Sequence, residues 1–324
     1  MIDYYGYKYE ADDNGNYNII PNRDIIKPKT FFKYYALTEN SVDALTNMYI
    51  YATHPNQFND PFDCNEKLIE FNSWDDVEKF WGPYFDKVKD NYHDIDEACA
   101  DCSYVYKTIL YRKLGLISLS PVHDNYQMWA LYAQNSGLCV EFDVNLFPFR
   151  FFGPFPINYI DDISSPIHIG KTGGSAAMLV QTNVKNKWWD YENEWRLYVP
   201  NPIGIDMKSF GPNAEKYNIF NEHDRKFAYS TSAIKSVYLG TSFFCNKHVI
   251  VNEISCYEKD VYCSDSNCLV NTLLYFLSNM QLMFDLRIYL AEMRDFSEYN
   301  FIPVVIARYK EARYRIITTS NINI

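Results

Sequence analysis

The sequence has no long uninterrupted hydrophobic segment. Its most apolar stretch, residues 268–284, is interrupted by Asn271, Thr272, Ser278, Asn279 and Gln281. This many polar side chains make the stretch too polar to cross a bilayer as a helix. The first 18 residues are acidic and polar, without the basic and apolar regions of a secretory signal. We therefore predict a cytoplasmic protein with no membrane partner.

Positive charge is scarce. The 324 residues include 30 Lys and Arg against 41 Asp and Glu, so the net charge is −11. Proteins that bind nucleic acid need a cationic face to displace counterions from phosphates, and no basic block of this kind is visible. The charge therefore gives no indication of a nucleic-acid partner, while a protein partner remains open.

Recognisable metal motifs are also lacking. The six histidines are scattered, without the spacing of a metal hydrolase. Among the eight cysteines, Cys99 and Cys102 form a C-x2-C pair, and Cys263 and Cys268 form a C-x4-C pair. The two pairs together would supply four ligands for zinc, but the second spacing is loose. Ordinary packing thiols are the favoured interpretation, and no metal is expected.

Aromatic residues are abundant, at 18% with 29 tyrosines, and strand and helix patterns are mixed along the chain. There is no regular alternation of strand and helix, and no Gly-rich phosphate loop. This mixture predicts an α+β fold with a mixed, largely antiparallel split β core and flanking helices. We divide the chain into a polar leader over 1–28, a main domain over 29–245 and a C-terminal extension over 246–324 that packs on the same domain.

Several local elements follow from the pattern. Residues 31–37 read as a strand, and 40–48 as a helix capped by Asn40 or Ser41. Asp124 and Gln127 form a capping-box signature for a helix over 125–134. Gly137 would then adopt the left-handed conformation that ends many helices. The glycine-bearing segment 161–175 is expected to be a mobile loop.

Residues 188–200, WWDYENEWRLYVP, have strand character but carry two glutamates. In a strand, Glu192, Glu194 and Arg196 share one face, with the two carboxylates roughly 7 Å apart. If the site is shielded from water, like charges this close raise the pKa of one of them. The pair could then serve acid–base chemistry or stabilise a cation. The alternative is a solvated strand face on which Glu194 and Arg196 form a minor surface ion pair.

Several short motifs follow one another along the chain: 33-KYY-35, 58-FNDPFD-63, 118-SLS-120, 128-MWALY-132 with Gly137, and 191-YENEWR-196. Over about residues 31–240, their order resembles a large family of bacterial proteins of unknown function. The signatures of that family are FNDPF[DE], MW-x-x-Y and W-x-YE-x-EWR.

That family is in turn similar to the ADP-ribosyltransferase superfamily. This resemblance implies that NAD is a substrate and that Glu194 is the catalytic carboxylate, which holds the ribose and stabilises positive charge as nicotinamide leaves. Glu192 would orient the acceptor. The NAD-binding residues implied by the match are Tyr34, Tyr35, Ser118, Ser120, Trp129 and Tyr132. The sequence departs from the superfamily pattern, since Ser-Leu-Ser replaces Ser-Thr-Ser and Lys-Tyr-Tyr replaces a first-strand His or Arg.

Each of these residues also has a structural interpretation. The tyrosines could belong to the core, the serines could be small strand residues, and Trp129 and Tyr132 could be helix packing. The Asn59-Asp60-Pro61 segment fits a turn. The leading hypothesis is transfer of ADP-ribose to an unidentified acceptor. The family resemblance suggests a setting in bacterial phage defence or toxin biology. The alternatives are a non-catalytic nucleotide- or protein-binding sensor module, and an NAD glycohydrolase that uses Glu192 and Glu194.

Overall fold

The structure is a computed structural model that describes residues 1–11, 16–162, 166–168, 174–200, 225–265, 267–295 and 298–319. The strands in these ranges are β1 (Ile2–Tyr4), β2 (Tyr7–Ala11), β3 (Tyr17–Pro21), β4 (Phe31–Tyr35), β5 (Tyr49–Tyr51), β6 (Ile69–Glu70), β7 (Leu114–Leu119), β8 (Leu138–Phe142), β9 (Phe152–Pro156), β10 (Asn158–Ile160), β11 (Ile167–His168), β12 (Val184–Asn186), β13 (Trp195–Pro200), β14 (Lys226–Ala228), β15 (Ile234–Leu239), β16 (Val249–Ser255), β17 (Glu258–Cys263), β18 (Arg287–Asp295), β19 (Glu298–Lys310) and β20 (Arg313–Thr318).

The α-helices in the same ranges are α1 (Glu39–Thr46), α2 (Trp74–Trp81), α3 (Phe85–Val88), α4 (Ile95–Lys113), α5 (Tyr126–Leu131), α6 (Gly174–Asn183) and α7 (Leu269–Phe284). None of these helices is long and apolar enough to cross a membrane. The mixture of a large, mostly antiparallel sheet with several helices agrees with the predicted α+β class.

Contacts between residues group the chain into two compact units. The first unit is made of Met1–Lys27, Tyr51–Ser118 and Arg150–Lys226, and the second of Pro28–Ile50, Leu119–Phe149 and Phe227–Ile324. The chain passes from one unit to the other inside β5, β7 and β14. The contiguous division at residues 28 and 245 stays a prediction.

The first unit combines several small sheets. Strands β1, β2 and β3 form an antiparallel sheet, and α6 packs on β1 and β2. Tyr7 and Tyr9, two residues apart and therefore on one face of β2, are buried in the core of this unit. The Tyr9 hydroxyl donates a hydrogen bond to Asn183 Oδ1 at 3.0 Å. Tyr7 and Tyr9, which fall in the segment 1–28 predicted as a polar leader, thus contribute directly to a core.

Three further sheets of the first unit bring together segments that are far apart in the chain. Strands β7, β13 and β9 form a three-stranded sheet in that order. Strand β10 pairs in parallel with β12, and β11 pairs in parallel with β6. The central strand β13 is buried along almost its whole length, which explains its run of large apolar residues.

The second unit is built on an eight-stranded sheet in the order β16-β17-β20-β19-β18-β15-β8-β4. The pairing of β15 with β18 is parallel, and the other pairings are antiparallel. Helix α7 packs on β19. It buries Val270, Leu273, Leu274 and Leu277, whose spacing of three and four residues places them on one helical face.

Two predicted helix caps are wrong. Thr38, rather than Asn40 or Ser41, caps α1, because its hydroxyl accepts the Ser41 backbone N–H at 3.3 Å. Asn125, rather than Asp124, caps α5 by accepting the N–H groups of residues 127 and 128. Asn125 lies one residue closer to α5 than Asp124, and it is the Asn125 side chain that reaches the free N–H groups of the first turn.

The prediction for Gly137 is also wrong. The chain leaves α5 through Gln134 and Asn135, which have φ values of 54° and 55°. Gly137 is required for a different reason: a Cβ atom there would lie 2.0 Å from the Tyr35 carbonyl oxygen and 2.7 Å from that of Ala133. Much of the expected mobile loop at 161–175 lies outside the described residues.

Candidate functional site

The two glutamates of the sequence motif belong to a buried ion network in the first unit. Glu192, Glu194 and Asp63 supply three carboxylates, and Lys185 and Arg196 supply two cations. All five side chains are at most 5% exposed. The two carboxylates are therefore shielded from water, and the alternative of a solvated strand face is wrong.

The backbone around the glutamates differs from the predicted continuous strand. Residues Lys187–Glu192 form a 3-10 helix, Asn193 adopts a left-handed conformation (φ 45°, ψ 46°), and β13 begins only at Trp195. The Asn193 N–H closes this turn by donating to the Asp190 carbonyl oxygen at 3.0 Å. A turn at Asn193 therefore places Glu192 and Glu194 in the same network. The prediction that both glutamates lie on one face of a continuous strand is wrong.

Lys185 lies at the centre of the carboxylates. Its Nζ is 2.5 Å from Glu192 Oε2, 3.2 Å from Glu194 Oε2 and 3.6 Å from Asp63 Oδ2. Burial lowers the pKa of Lys185, but the charges of Glu194, Asp63 and Glu192 outweigh this effect and raise it above its usual range. Lys185 is thus held as an ammonium.

Arg196 binds two carboxylates at once. Its Nε and Nη2 donate to Glu194 Oε1 and Oε2 at 2.8 and 2.9 Å, and its Nη1 and Nη2 donate to Asp63 at 3.1 and 2.9 Å. Nη1 also donates to the Thr182 carbonyl oxygen at 2.6 Å. The planar guanidinium suits this arrangement, because its donors match the spacing of carboxylate oxygens.

The second sequence motif, 58-FNDPFD-63, reaches the same network. Asp63 pairs with Arg196, and the Phe58 ring lies 4.7 Å from the centre of that guanidinium. Asp60 Oδ1 accepts the Phe62 N–H at 2.9 Å, which agrees with the predicted turn. Asp63 occupies the acidic position of the FNDPF[DE] signature but was not predicted as a site residue, and Lys185 has no local pattern that distinguishes it.

The ionisation of Glu194 differs from the expectation. Burial favours the protonated form, but Arg196 and Lys185 oppose it more strongly and lower the pKa of Glu194 to about 2. A hydrogen bond from Ser118 acts in the same direction. The predicted rise in the pKa of one carboxylate is therefore not found at Glu194, because the charges of Arg196 and Lys185 outweigh its burial.

Formally, three carboxylates against two cations leave one negative charge in excess among these five side chains. Half-buried aromatic rings adjoin them. The Tyr159 hydroxyl accepts the Glu194 N–H at 2.9 Å, and the Trp189 ring centre lies 5.1 Å from Lys185 Nζ. A site of this kind has fixed anionic character with little solvent, which makes it suited to stabilising a positive charge.

A cavity of about 450 Å³ in the same unit is lined by residues next in sequence to the network. Phe62 precedes Asp63, and Asn186 follows Lys185. Lys67, Asp161 and Asp162 supply charged groups to its wall. Its size lies within the range of small-molecule sites.

The remaining predicted NAD-binding residues are divided between the units. Ser118 belongs to the first unit and contacts Glu194, whereas the other five lie in the second: Tyr34, Tyr35, Ser120, Trp129 and Tyr132. Trp129 is fully buried, donates from Nε1 to the His123 carbonyl oxygen at 2.8 Å and packs edge-on against Tyr34 at 5.5 Å.

The other members of this set have mixed environments. The Tyr34 hydroxyl donates to the Val122 carbonyl oxygen at 3.0 Å, and Ser120 Oγ accepts the Val122 N–H at 3.4 Å. Tyr132 packs on the aromatic cluster that contains Trp129. The Tyr35 hydroxyl is buried and has no hydrogen-bond partner among the described residues. Burial raises the pKa of Tyr35 far above its usual range, so it stays neutral.

Within the described ranges, no group of three or more His, Cys, Asp or Glu side chains is arranged to hold a metal ion. The two cysteine pairs considered for zinc lie in different units. Comparisons with protein-family models, with curated proteins and with solved structures found no match.

Proposed function

We propose that the protein transfers ADP-ribose from NAD to an acceptor, with Glu194 as the catalytic carboxylate. One observation carries this proposal: the buried network has one more carboxylate than cation, and within it Arg196, Lys185 and Ser118 keep Glu194 ionised. A carboxylate with a pKa near 2 cannot act as a general acid at neutral pH. It is suited to electrostatic stabilisation of a cation.

The chemistry needs such a group. As the bond between ribose and nicotinamide breaks, positive charge develops on the ribose as an oxocarbenium ion. A fixed anion stabilises that charge without reorganising, because its neighbours already hold it in place. In this proposal, Arg196 and Ser118 position Glu194, and Glu192 orients the acceptor.

The network is closed in this structure, since its five ionic side chains are nearly inaccessible. NAD can reach Glu194 only if the packing around this side chain opens. Trp189, which contacts Lys185, and Tyr159, which contacts the Glu194 backbone, are the neighbours that we expect to move. The contacts of Tyr34, Tyr35, Ser120, Trp129 and Tyr132 with NAD remain predictions from the resemblance.

A second candidate is a non-catalytic binding module. It is favoured by the full engagement of the Glu194 carboxylate, in which Oε1 accepts from Arg196, and Oε2 accepts from both Arg196 and Lys185. A buried carboxylate with a purely structural role needs hydrogen-bond donors for both of its oxygens, and Glu194 has them. In that case the network holds the first unit together and the cavity beside it binds the ligand.

The deciding experiment measures nicotinamide release from NAD by the wild-type protein, Glu194→Gln and Glu192→Gln, with and without a cell lysate. We expect nicotinamide release to increase when lysate is added and ADP-ribose to become attached to a macromolecule or small acceptor. In Glu194→Gln, nicotinamide release should fall at least 100-fold. Glu192→Gln should still release nicotinamide by transfer of ADP-ribose to water, but it should no longer attach ADP-ribose to the acceptor.

Circular dichroism and thermal unfolding of each variant separate a loss of chemistry from a loss of fold. Release to water alone in the wild type would identify a glycohydrolase. Folded wild-type protein that neither binds nor consumes NAD would reject the proposal in favour of the binding module.

A further inference from the structure

The cavity of about 450 Å³ in the first unit has a lining of mixed chemistry. Leu68 supplies a buried apolar side chain, and Phe62 supplies an aromatic ring that is 65% exposed. The other lining side chains are two asparagines, two aspartates and one lysine. The cavity thus offers an aromatic surface and several hydrogen-bonding groups to one small molecule.

The pairing of β10 with β12 brings two of these polar residues together. Asn186, the last residue of β12, lies opposite Ile160, the last residue of β10, and Asp161 follows Ile160. Because the two strands are parallel, both chain segments leave the sheet at the same end. The backbone therefore fixes a carboxylate and an amide beside each other in the cavity wall.

The two asparagines are held in a known orientation. Asn65 Oδ1 accepts the Lys67 N–H, and Asn186 Oδ1 accepts the Trp188 N–H, each at 2.9 Å. A backbone N–H needs an oxygen as its partner, so these bonds determine which atom of each side-chain amide is the nitrogen. The remaining polar group of each side chain is the Nδ2 amide, which only donates hydrogen bonds.

The aspartates supply acceptors and set the charge. Asp161 Oδ1 lies 3.5 Å from Lys187 Nζ, but the two side chains are 81% and 55% exposed. An ion pair this exposed is weak, so it does not keep Asp161 from accepting a hydrogen bond from a ligand. Among the lining residues, Asp161 and Asp162 outnumber the single cation Lys67. This balance disfavours a ligand that carries phosphate.

We propose that this cavity binds a neutral molecule with two adjacent hydroxyl groups on a ring, as found in the ribose of a nucleoside and in free sugars. A hydroxyl both donates and accepts, so an adjacent pair matches the Asp161 carboxylate and the Asn186 amide. Nucleotide-binding proteins recognise ribose hydroxyls with a carboxylate in the same way. The exposed Phe62 ring provides a surface on which a base or a sugar face stacks.

The cavity adjoins the ion network, because Phe62 precedes Asp63 and Asn186 follows Lys185. A ligand bound here would be the acceptor of ADP-ribose. One of its hydroxyl oxygens would bond to the ribose carbon from which nicotinamide departs, nicotinamide would keep the electron pair of the broken bond, and the hydroxyl proton would pass to water. This role rests on the proposed function, whereas binding of the ligand does not.

The test is isothermal titration calorimetry of the full-length protein without NAD, with adenosine, 2′-deoxyadenosine, ribose and AMP as probes. We expect adenosine to bind. 2′-Deoxyadenosine should bind about 10-fold more weakly, because it lacks one of the two adjacent hydroxyls. AMP should also bind about 10-fold more weakly, because its phosphate meets an excess of negative charge. Ribose that binds as tightly as adenosine would identify a free sugar as the ligand, and weaker binding of ribose would identify a nucleoside.

Three substitutions locate the binding site. Phe62→Ala and Asp161→Asn should each weaken adenosine binding about 10-fold. The matched control is Tyr84→Ala, which removes another exposed aromatic side chain of the first unit and should leave binding unchanged. Since all three side chains are exposed, circular dichroism should show an intact fold in each variant.

Several results would overturn the proposal. These are folded wild-type protein that binds neither adenosine nor ribose, equal affinity for 2′-deoxyadenosine or AMP, and adenosine binding that is unaffected by both Phe62→Ala and Asp161→Asn. Displacement of adenosine by NAD would assign the cavity to NAD and would also overturn it. If adenosine binds as expected but NAD is never consumed, the binding site stands and the proposed transferase function fails.

Discussion

Arg196 and Asp63 lie 133 residues apart in the chain and are joined by two parallel hydrogen bonds between a guanidinium and a carboxylate, both completely buried. The same guanidinium binds Glu194 with a second pair of bonds. One side chain thus connects the two sequence motifs and fixes the carboxylate to which the proposed chemistry is assigned.

Replacing Arg196 by Met should lower the free energy of unfolding by about 3–5 kcal/mol, because Asp63 and Glu194 would lose their main partner while buried. Arg196→Lys should also be destabilising, since one ammonium cannot make both paired contacts. Chemical unfolding measures both effects. The control is Lys89→Met, which removes an exposed ion pair with Asp86 in the same unit and should change little. If Lys89→Met and Arg196→Met lowered the free energy of unfolding equally, the buried network would have no special stabilising role.

Stability should decrease in acid through Glu194. Its pKa is about 2 in the folded protein, against 4.5 ordinarily. Because the folded value is the lower one, the contribution is complete above about pH 4.5 and is lost as pH falls toward 2. Its size is on the order of 3 kcal/mol. The difference in unfolding free energy between wild type and Glu194→Gln should therefore narrow over this range. A difference that is independent of pH would show that Glu194 is not the group responsible.

Asn193 should tolerate glycine but not valine. Its left-handed backbone suits Asn or Gly, whereas a β-branched side chain is strained there. We expect Asn193→Val to cost about 1–2 kcal/mol of stability and Asn193→Gly only a few tenths. Thermal unfolding provides the measurement. If nicotinamide release is established, valine should also reduce it more than glycine does, because the turn sets the positions of Glu192 and Glu194.

Gly137→Ala should be destabilising by about 1–3 kcal/mol, because the new methyl group would overlap backbone oxygens of Tyr35 and Ala133 that cannot rotate away. The matched control is Gly6→Ala. Gly6 has a positive φ of 81° but no atom within 4 Å of the added carbon, so that variant has only backbone strain. If the two variants lost similar amounts of stability, the short distance from position 137 to the backbone oxygens would not be the reason for glycine there.

The regular elements that were predicted from sequence have local causes. The aromatic strand β4 and the helices α1 and α5 follow from side-chain patterns over 5–8 residues. The errors at the caps of α1 and α5 arose because neighbouring polar residues offer similar side-chain acceptors, and only the backbone geometry selects one of them.

The site was predictable only in part. Glu192 and Glu194 were identified from their unusual aromatic surroundings, but the turn between them was not, because tryptophan and tyrosine favour strands in most contexts. Lys185 lies in an ordinary-looking polar segment, and Asp63 in a turn motif. Asp63 is connected to Glu194 through Arg196, which lies 133 residues away from it in the chain. Lys185 lies only nine residues before Glu194, but their contact depends on the intervening 3-10 helix and turn, which were not predicted.

The passage of the chain between units inside β5, β7 and β14 has a consequence for how the protein must be made and handled. The first unit contains the N-terminal residues but is complete only when Lys226 has been synthesised, and the second unit needs residues from Pro28 to the last described strand. Neither can be isolated by deleting one end of the chain. On the ribosome, β4 and β5 must wait for their partners β8 and β14, which are translated more than a hundred residues later. Unpaired strands of this kind favour aggregation until synthesis reaches their partners.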